Sequence, residues 1–148
     1  MNKWDERFSK IAREVSTWSK DPRTKIGAVA VRDKLILSTG VNGLPSGMDD
    51  SDYILNDREL KNQFIIHAEA NCIYNAAQNG VSLRGSTMYV YGLPVCSECA
   101  KALIQSGVSR IVMTLDTPNI PDKWSLSFKK SETMFTQVGI SYIINTLL

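Results

Sequence analysis

His67-Ala68-Glu69 opens one apolar helical run, and Pro94-Val95-Cys96-Ser97-Glu98-Cys99 follows a strand and opens another. The rest of the chain is organised around these two stretches. Together they read as a catalytic metal site. Zinc takes Cys sulfur and His nitrogen in tetrahedral geometry, and a catalytic site gives it three protein ligands and leaves the fourth position for water. His67, Cys96 and Cys99 supply such a set, with Glu69 as a non-ligand proton shuttle. The chain has one histidine and three cysteines, so it cannot build a second such site without carboxylates. Cys96 and Cys99 lie three apart, which on one helical turn points both sulfurs to the same side. A helix N-terminus also favours thiolate over thiol. His67 and Glu69 lie two apart and would diverge in mid-helix. They reach one centre only if the pair sits in the first turn.

Two other readings use the same residues. A Cys-x-x-Cys after a strand also suits a thioredoxin-like redox pair, in which His67 and Glu69 have no task. A purely structural zinc needs a fourth protein ligand, and the one other cysteine is Cys72, which reads as small core filling.

A length of 148 residues suits a single domain covering 1–148. At 43% hydrophobic and 22% charged, the composition is that of an ordinary soluble globular protein. The formal net charge of +2 comes without a basic stripe, which argues against a nucleic-acid partner. No apolar run is long enough for a membrane-spanning helix, and Met1 to Arg7 lacks the apolar core of a signal peptide. The expected location is the reducing cytoplasm, where Cys-x-x-Cys holds metal or does redox chemistry more often than it forms a structural disulfide.

Trp4, Phe8, Ile11, Ala12, Val15 and Trp18 recur at helical steps, which predicts an amphipathic helix ending near Ser19. Pro22 bars its continuation through the loop Ser19 to Lys25. Ile26–Val31 and Leu35–Val41 read as strands joined by a turn at Arg32-Asp33-Lys34. Asn42 to Gly47 breaks the second strand, and the acidic stretch Met48 to Tyr53 reads as loop. Asn56 followed by Glu59 predicts a short helix over Asp57–Phe64 with a capping box. The connection from the second strand to His67 is long, and such connections are often functional.

A helix follows over Ala68–Asn79, with Ile73, Ala76 and Ala77 as core candidates and Gly80 as its stop. Then come a strand at Ser86–Tyr91, a helix at Cys96–Ser106, a strand at Arg110–Leu115, a helix from about Leu126 to Val138, and a fifth strand at Ile140–Asn145. After the first hairpin, helices and strands alternate. That predicts an α/β fold with a mixed, largely parallel five-stranded sheet and helices on both faces. The His-Glu and Cys helices can then converge at the sheet end where open α/β sheets bind ligands.

With these residues in view, the chain resembles the cytidine deaminase superfamily, and within it the deoxycytidylate (dCMP) deaminases. Ser19-Lys20-Asp21-Pro22 leading to Ile26-Gly27-Ala28-Val29, Thr39 to Gly47, His67-Ala68-Glu69-Ala70-Asn71 and Cys96-Ser97-Glu98-Cys99-Ala100-Lys101 carry the resemblance across nearly the whole chain. The metal motif indicates the superfamily. The Asn42-Gly43 loop and the first-strand motif narrow it. The resemblance implies a three-layer α/β/α cytidine-deaminase-like fold, one catalytic Zn2+ and hydrolysis of dCMP to dUMP and ammonia. Glu69 would take a proton from water to ring N3 and then protonate the leaving ammonia. Asn42 matches the asparagine that contacts the sugar, and Arg23, with Lys25 in reserve, falls where some members hold the phosphate. Ala68 joins them as a substrate-binding position. The resemblance also implies a hexamer, activation by dCTP and inhibition by dTTP, with Mg2+ accompanying the effector and Asn42, Gly43 and Gly47 in its site.

Three departures stand out. The family usually has Pro directly before the first Cys, and here Val95 intervenes. Position 41, usually aromatic, is Val41. After the fourth strand there is no Tyr-Arg pair of the kind found in some regulated members. Rival functions are deamination of dCTP, CMP or deoxycytidine, deamination of bases in nucleic acid, and a non-catalytic zinc-stabilised or nucleotide-sensing domain. Asn42 as a turn residue, Arg23 and Lys25 as solvated charges, and Trp124 and Phe128 as core packing stand beside their functional readings.

Overall fold

The Asn2 side chain accepts the Asp5 amide at 2.8 Å and the Asp5 carboxylate accepts the Asn2 amide at 3.2 Å. In a computed structural model, which describes residues 1–146, this capping box starts α1 (Lys3–Ser16). The helix buries Phe8, Ala12 and Val15 as its periodicity predicts. It stops at Ser16, short of the expected Ser19, so Trp18 leaves the apolar face and is 58% exposed.

β1 (Gly27–Arg32) and β2 (Leu35–Val41) form an antiparallel hairpin. Asp33 and Lys34 turn it with φ of 54° and 63°, the two positive values that a tight hairpin turn of this hand requires. The connection that follows differs from its sequence reading. It holds two short helices, α2 (Asp52–Asn56) and α3 (Arg58–Phe64), so the acidic stretch is helical from Asp52. The cap of α3 is Asp57, which accepts the Leu60 amide at 3.0 Å, in place of Asn56.

The remaining elements keep the expected order: α4 (Ala68–Gln78), β3 (Thr87–Gly92), α5 (Ser97–Gln105), β4 (Arg110–Leu115), α6 (Asp122–Val138) and β5 (Ser141–Asn145). α6 begins at Asp122, ahead of the expected Leu126, because Pro121 sits at its N-cap and fits a helix start. The sheet order is β2-β1-β3-β4-β5. Parallel pairing is confined to β3–β4 and β4–β5, while β1 is antiparallel to both β2 and β3. The sheet is therefore mixed but less parallel than predicted. The chain crosses back from β2 to place β3 beside β1, the inner strand of the hairpin.

One helix covers one face and three cover the other, giving three layers. Phe8, Ala12 and Val15 of α1 pack on Val29, Val31, Tyr89 and Val112. On the opposite face Ala68, Cys72 and Ala76 of α4, Leu103 of α5, and Phe128 and Phe135 of α6 pack on Ala28, Ala30, Met88, Val90, Ile111 and Met113. Ala77, expected in the core, is exposed, and Ile73 is half-buried against it. Among the described residues no helix is long and apolar enough to cross a membrane.

Close contact between α4 and β2 sets the first turn of α4. A Cβ on Gly40 would stand 2.3 Å from both the Ala68 carbonyl oxygen and the Cys72 nitrogen, so only glycine admits the helix backbone there. Asn71 and Asn75, one turn apart, donate to the carbonyls of Val41 and Thr39 at 2.8 Å each. Ser38 donates to the Cys72 carbonyl at 2.8 Å. The two asparagine bonds satisfy carbonyls of the edge strand β2, and all three lock the start of α4 beside the end of β2.

Candidate active site

His67 and Cys96 occupy N-cap positions, at α4 and α5, with extended backbone at ψ 154° and 165°. His67 thus stands outside the helical path. Its two-residue separation from Glu69 does not make the side chains diverge. His67 Nδ1 lies 3.4 Å from Cys96 Sγ and 3.4 Å from Cys99 Sγ. A tetrahedral zinc with ordinary bond lengths would separate nitrogen and sulfur ligands by roughly 3.5 Å. The donor set, one imidazole and two sulfurs, also suits zinc. The three residues therefore fit the ion. They form the His/Cys/Asp/Glu group able to hold a metal among the described residues.

This arrangement discriminates among the sequence readings. An imidazole nitrogen equidistant from both sulfurs belongs to a ligand set and not to a dithiol working alone. Cys96 and Cys99 are unbridged. Cys72 is no fourth ligand. It is fully buried in the core, where burial pushes its thiol up to about 12, so it is inert filling.

The Cys99 thiol and the His67 ring bond to Cys96 Sγ and hold the Cys96 thiol down to about 4. The same bond to the Cys96 thiolate, together with burial, pushes the Cys99 thiol up. The protein alone thus favours one thiolate, and a dication at the centre would favour the second. Its bond to Cys96 raises the His67 imidazole, against the effect of burial. Glu69 is 4% exposed, and burial raises its carboxyl with the His67 charge opposing.

His67, Ala68, Glu69 and Cys96 line a cavity of about 680 Å³. It lies at the sheet end where β2, β3 and β4 finish, as the topology predicts. The loop before β1 supplies Asp21, Arg23 and Thr24 to its wall, and α3 supplies Arg58, Lys61 and Asn62. The first turns of α6 supply Lys123, Trp124 and Ser127, and Leu93 and Pro94 also line it.

The predicted substrate positions divide. Arg23 lines the cavity, exposed and with no carboxylate partner among the described residues. Lys25 does not line it. Its ammonium donates to the Ser19 carbonyl, a nearby acceptor that a flexible lysine reaches more readily than a distant anion. Asn42 lines the cavity and also has a structural task. Its carbonyl accepts the Ile26 amide and its amide donates to the Thr24 carbonyl, at 2.9 Å each. Gly43 and Gly47 lie outside the cavity. Gly43 and Ile66 exchange backbone hydrogen bonds of 3.1 and 2.8 Å, and Gly47 holds φ of +90° in a turn. Phe128 is buried core, while Trp124 reaches the cavity wall. Val95 is fully buried, and its amide points to the Met113 sulfur at 3.5 Å.

Arg58, Lys61 and Lys123 were not legible as cavity residues. The length of the connection carrying Arg58 and Lys61 was the available signal. Lys61 pairs with Asp21 at 3.0 Å, both largely buried. Asp21 also accepts the amides of Arg23 and Thr24 at 2.9 and 3.1 Å. The amides of Arg23 and Thr24 and the Lys61 pair together outweigh burial and lower the Asp21 carboxyl. α3 is thereby tied to the loop that presents Arg23.

Residues 2–115 match the cytidine and deoxycytidylate deaminase zinc-binding region. An uncharacterized deaminase in the luxG 3′ region of Aliivibrio fischeri is 36% identical over 140 residues, covering 95% of this chain and 92% of its own. Human deoxycytidylate deaminase is 31% identical over 147 residues, covering 94% of this chain and 78% of its own. The crystal structure of dCMP deaminase from cyanophage S-TIM5, in complex with dCMP and dUMP, is similar with a TM-score of 0.75 at 25% identity. That likeness covers 97% of this chain and 98% of the phage enzyme.

Proposed function

This chain belongs to the cytidine and deoxycytidylate deaminase family, and from that premise we propose that it is the enzyme that hydrolyses dCMP to dUMP and ammonia. The observation that supports this most is the buried Glu69 carboxyl beside the His67, Cys96 and Cys99 group at a cavity wall. Structure alone does not need an acid there. His67, Cys96 and Cys99 would hold zinc, which when bound would acidify a water and make it nucleophilic near neutral pH. Glu69 takes a proton from the water and delivers it to ring N3. The water oxygen bonds to C4 as a hydroxyl, and Glu69 then takes the hydroxyl proton and passes it to the amino nitrogen as the bond from C4 to that nitrogen breaks, leaving the C4 carbonyl of dUMP and ammonia. A carboxyl raised by burial suits both steps, because it is basic enough to accept a proton and acidic enough to return it.

The other residues hold the nucleotide. No side chain caps α4, which leaves the Ala68 amide open to the cytosine carbonyl oxygen. Asn42 retains one amide hydrogen and one carbonyl lone pair for the deoxyribose hydroxyl. Arg23 and Arg58 take the phosphate through charge-assisted hydrogen bonds. The test is ammonia release from dCMP, dCTP, CMP and deoxycytidine. Turnover of dCMP, abolished by Glu69→Ala, is the expected result. No turnover of any of the four by zinc-loaded protein would overturn the reading.

The reading extends to regulation. The bonds between Gly43 and Ile66 join the Gly43–Gly47 loop to the residue before His67, so an effector on that loop would bear on the site. Activation by dCTP with Mg2+, inhibition by dTTP, a hexamer and action of residues 1–148 as one domain complete it. Adding each effector to the assay and sizing the protein in solution test these parts.

A further inference from the structure

Two serines of α6 bond to the peptide groups on either side of Cys96. Ser131 Oγ donates to the Val95 carbonyl at 2.8 Å. Ser127 Oγ accepts the Ser97 amide at 2.9 Å. Ser127 and Ser131 lie one turn apart, so one helix face presents both hydroxyls. Ser131 and Val95 are fully buried, and no water competes for that bond. The peptide unit before Cys96 sets its φ and the unit after it sets its ψ, observed at −74° and 165°. Each unit is held by α6 through one of its polar atoms. The direction in which Cys96 projects its sulfur is therefore determined from outside the cysteine helix.

We propose that Ser127 and Ser131 are positioning residues that hold Cys96 in the geometry of a zinc ligand. The inference rests on the zinc reading of His67, Cys96 and Cys99. α5 itself holds only the peptide unit after Cys96. Within the cysteine helix, Cys96 is tied by its carbonyl to the Ala100 amide at 2.9 Å and by its sulfur to the Cys99 amide at 3.4 Å. Those bonds leave the peptide before Cys96 free to tilt. The Val95 amide, one peptide unit earlier, points to the Met113 sulfur, a weak acceptor, and does not hold that unit. The clamp also joins two parts of the site, because Trp124 and Lys123 of the same helix line the cavity one turn earlier.

The test is zinc affinity by competition with a chromogenic chelator, on purified protein without substrate. Ser131→Ala and Ser127→Ala are each expected to weaken zinc binding about tenfold, the lower end for groups that orient a metal ligand. Ser127→Thr keeps the hydroxyl and is expected to restore affinity. Cobalt-substituted protein gives a second readout, since the sulfur-to-metal absorption band follows the ligand geometry. It is expected to shift in Ser131→Ala. Metal-free stability reports the packing contribution separately. Wild-type affinity and an unchanged cobalt band in both alanine variants would overturn the clamp, even if the metal-free proteins were destabilised. If the wild-type protein itself bound no zinc, the failure would lie with the zinc reading and would take the clamp with it.

Discussion

Asp5 and Glu69 are almost equally buried, at 1% and 4% exposure, on opposite faces of the sheet, yet their chemistry is opposed. Asp5 accepts both Arg110 nitrogens at 2.6 and 2.7 Å, the Tyr89 hydroxyl at 2.9 Å and the Asn2 amide at 3.2 Å. The Arg110 bond leads in drawing its carboxyl from the ordinary 3.8 down to about 2, against the effect of burial. Glu69 has no ion pair with arginine or lysine among the described residues, and burial raises it. Burial therefore does not decide what an acid does. The partners decide. Asp5 is a fixed anion that pins the start of α1 to β4. Glu69 is an acid left able to exchange a proton.

Removing the carboxyl of Glu69 tests the reactive half of this contrast and is expected to have the largest effect. Glu69→Gln keeps shape and burial and removes the proton exchange. Turnover of dCMP should fall about a thousandfold, within the range for loss of a general acid–base group. Thermal stability should not fall, because no ion pair is lost. A variant that kept a tenth of its activity, or that unfolded, would make Glu69 another Asp5.

Arg110→Ala tests the fixed half. It leaves Asp5 buried without its cation, which is expected to cost about 3 kcal/mol in urea unfolding. The folded protein should turn over dCMP at close to the wild-type rate, since neither residue lines the cavity.

The pH dependence sharpens the same point with a smaller effect. The folded carboxyl of Asp5 lies below its unfolded value, so its contribution is complete above 3.8 and is lost as pH falls toward 2. The difference corresponds to about 2 kcal/mol. Urea unfolding of metal-free wild-type protein should show that loss between pH 4 and pH 2. Asp5→Asn should be less stable at pH 6 and should lack that part of the slope.

The sequence exposed the reactive half more readily than the fixed half, for physical reasons. Metal chemistry restricts both residue type and spacing, so His67, Glu69, Cys96 and Cys99 could be read directly. Strand and helix order followed from periodicity over long elements. Asp5 and Arg110 are 105 residues apart, and neither carries a local sign that they meet. Ser127 and Ser131 belong to a helix whose pattern says nothing of hydroxyl partners. The α2–α3 connection is made of turns too short for periodicity to resolve, which is why one helix was expected and two are present. Lys25 turns from the cavity to the Ser19 carbonyl, a local contact that its place in the sequence does not signal.

Two arginines repeat the contrast between the acids and give the smallest predicted effect. Arg110 is matched by a carboxylate of the protein itself. Arg58 is exposed at the cavity and has no such match among the described residues, and under the proposed function it meets the substrate phosphate. Arg58→Ala should raise KM for dCMP about tenfold, near the low end for a hydrogen bond to a charged group because Arg58 is solvated. The kcat for dCMP should change little, since the reacting atoms are held by other residues. Turnover of deoxycytidine, which has no phosphate, should be unaffected. Equal losses on dCMP and deoxycytidine would mean that Arg58 supports the cavity wall, as Arg110 supports the sheet. A loss confined to the phosphorylated substrate would mean that the cavity leaves a cation unmatched in order to read a charge.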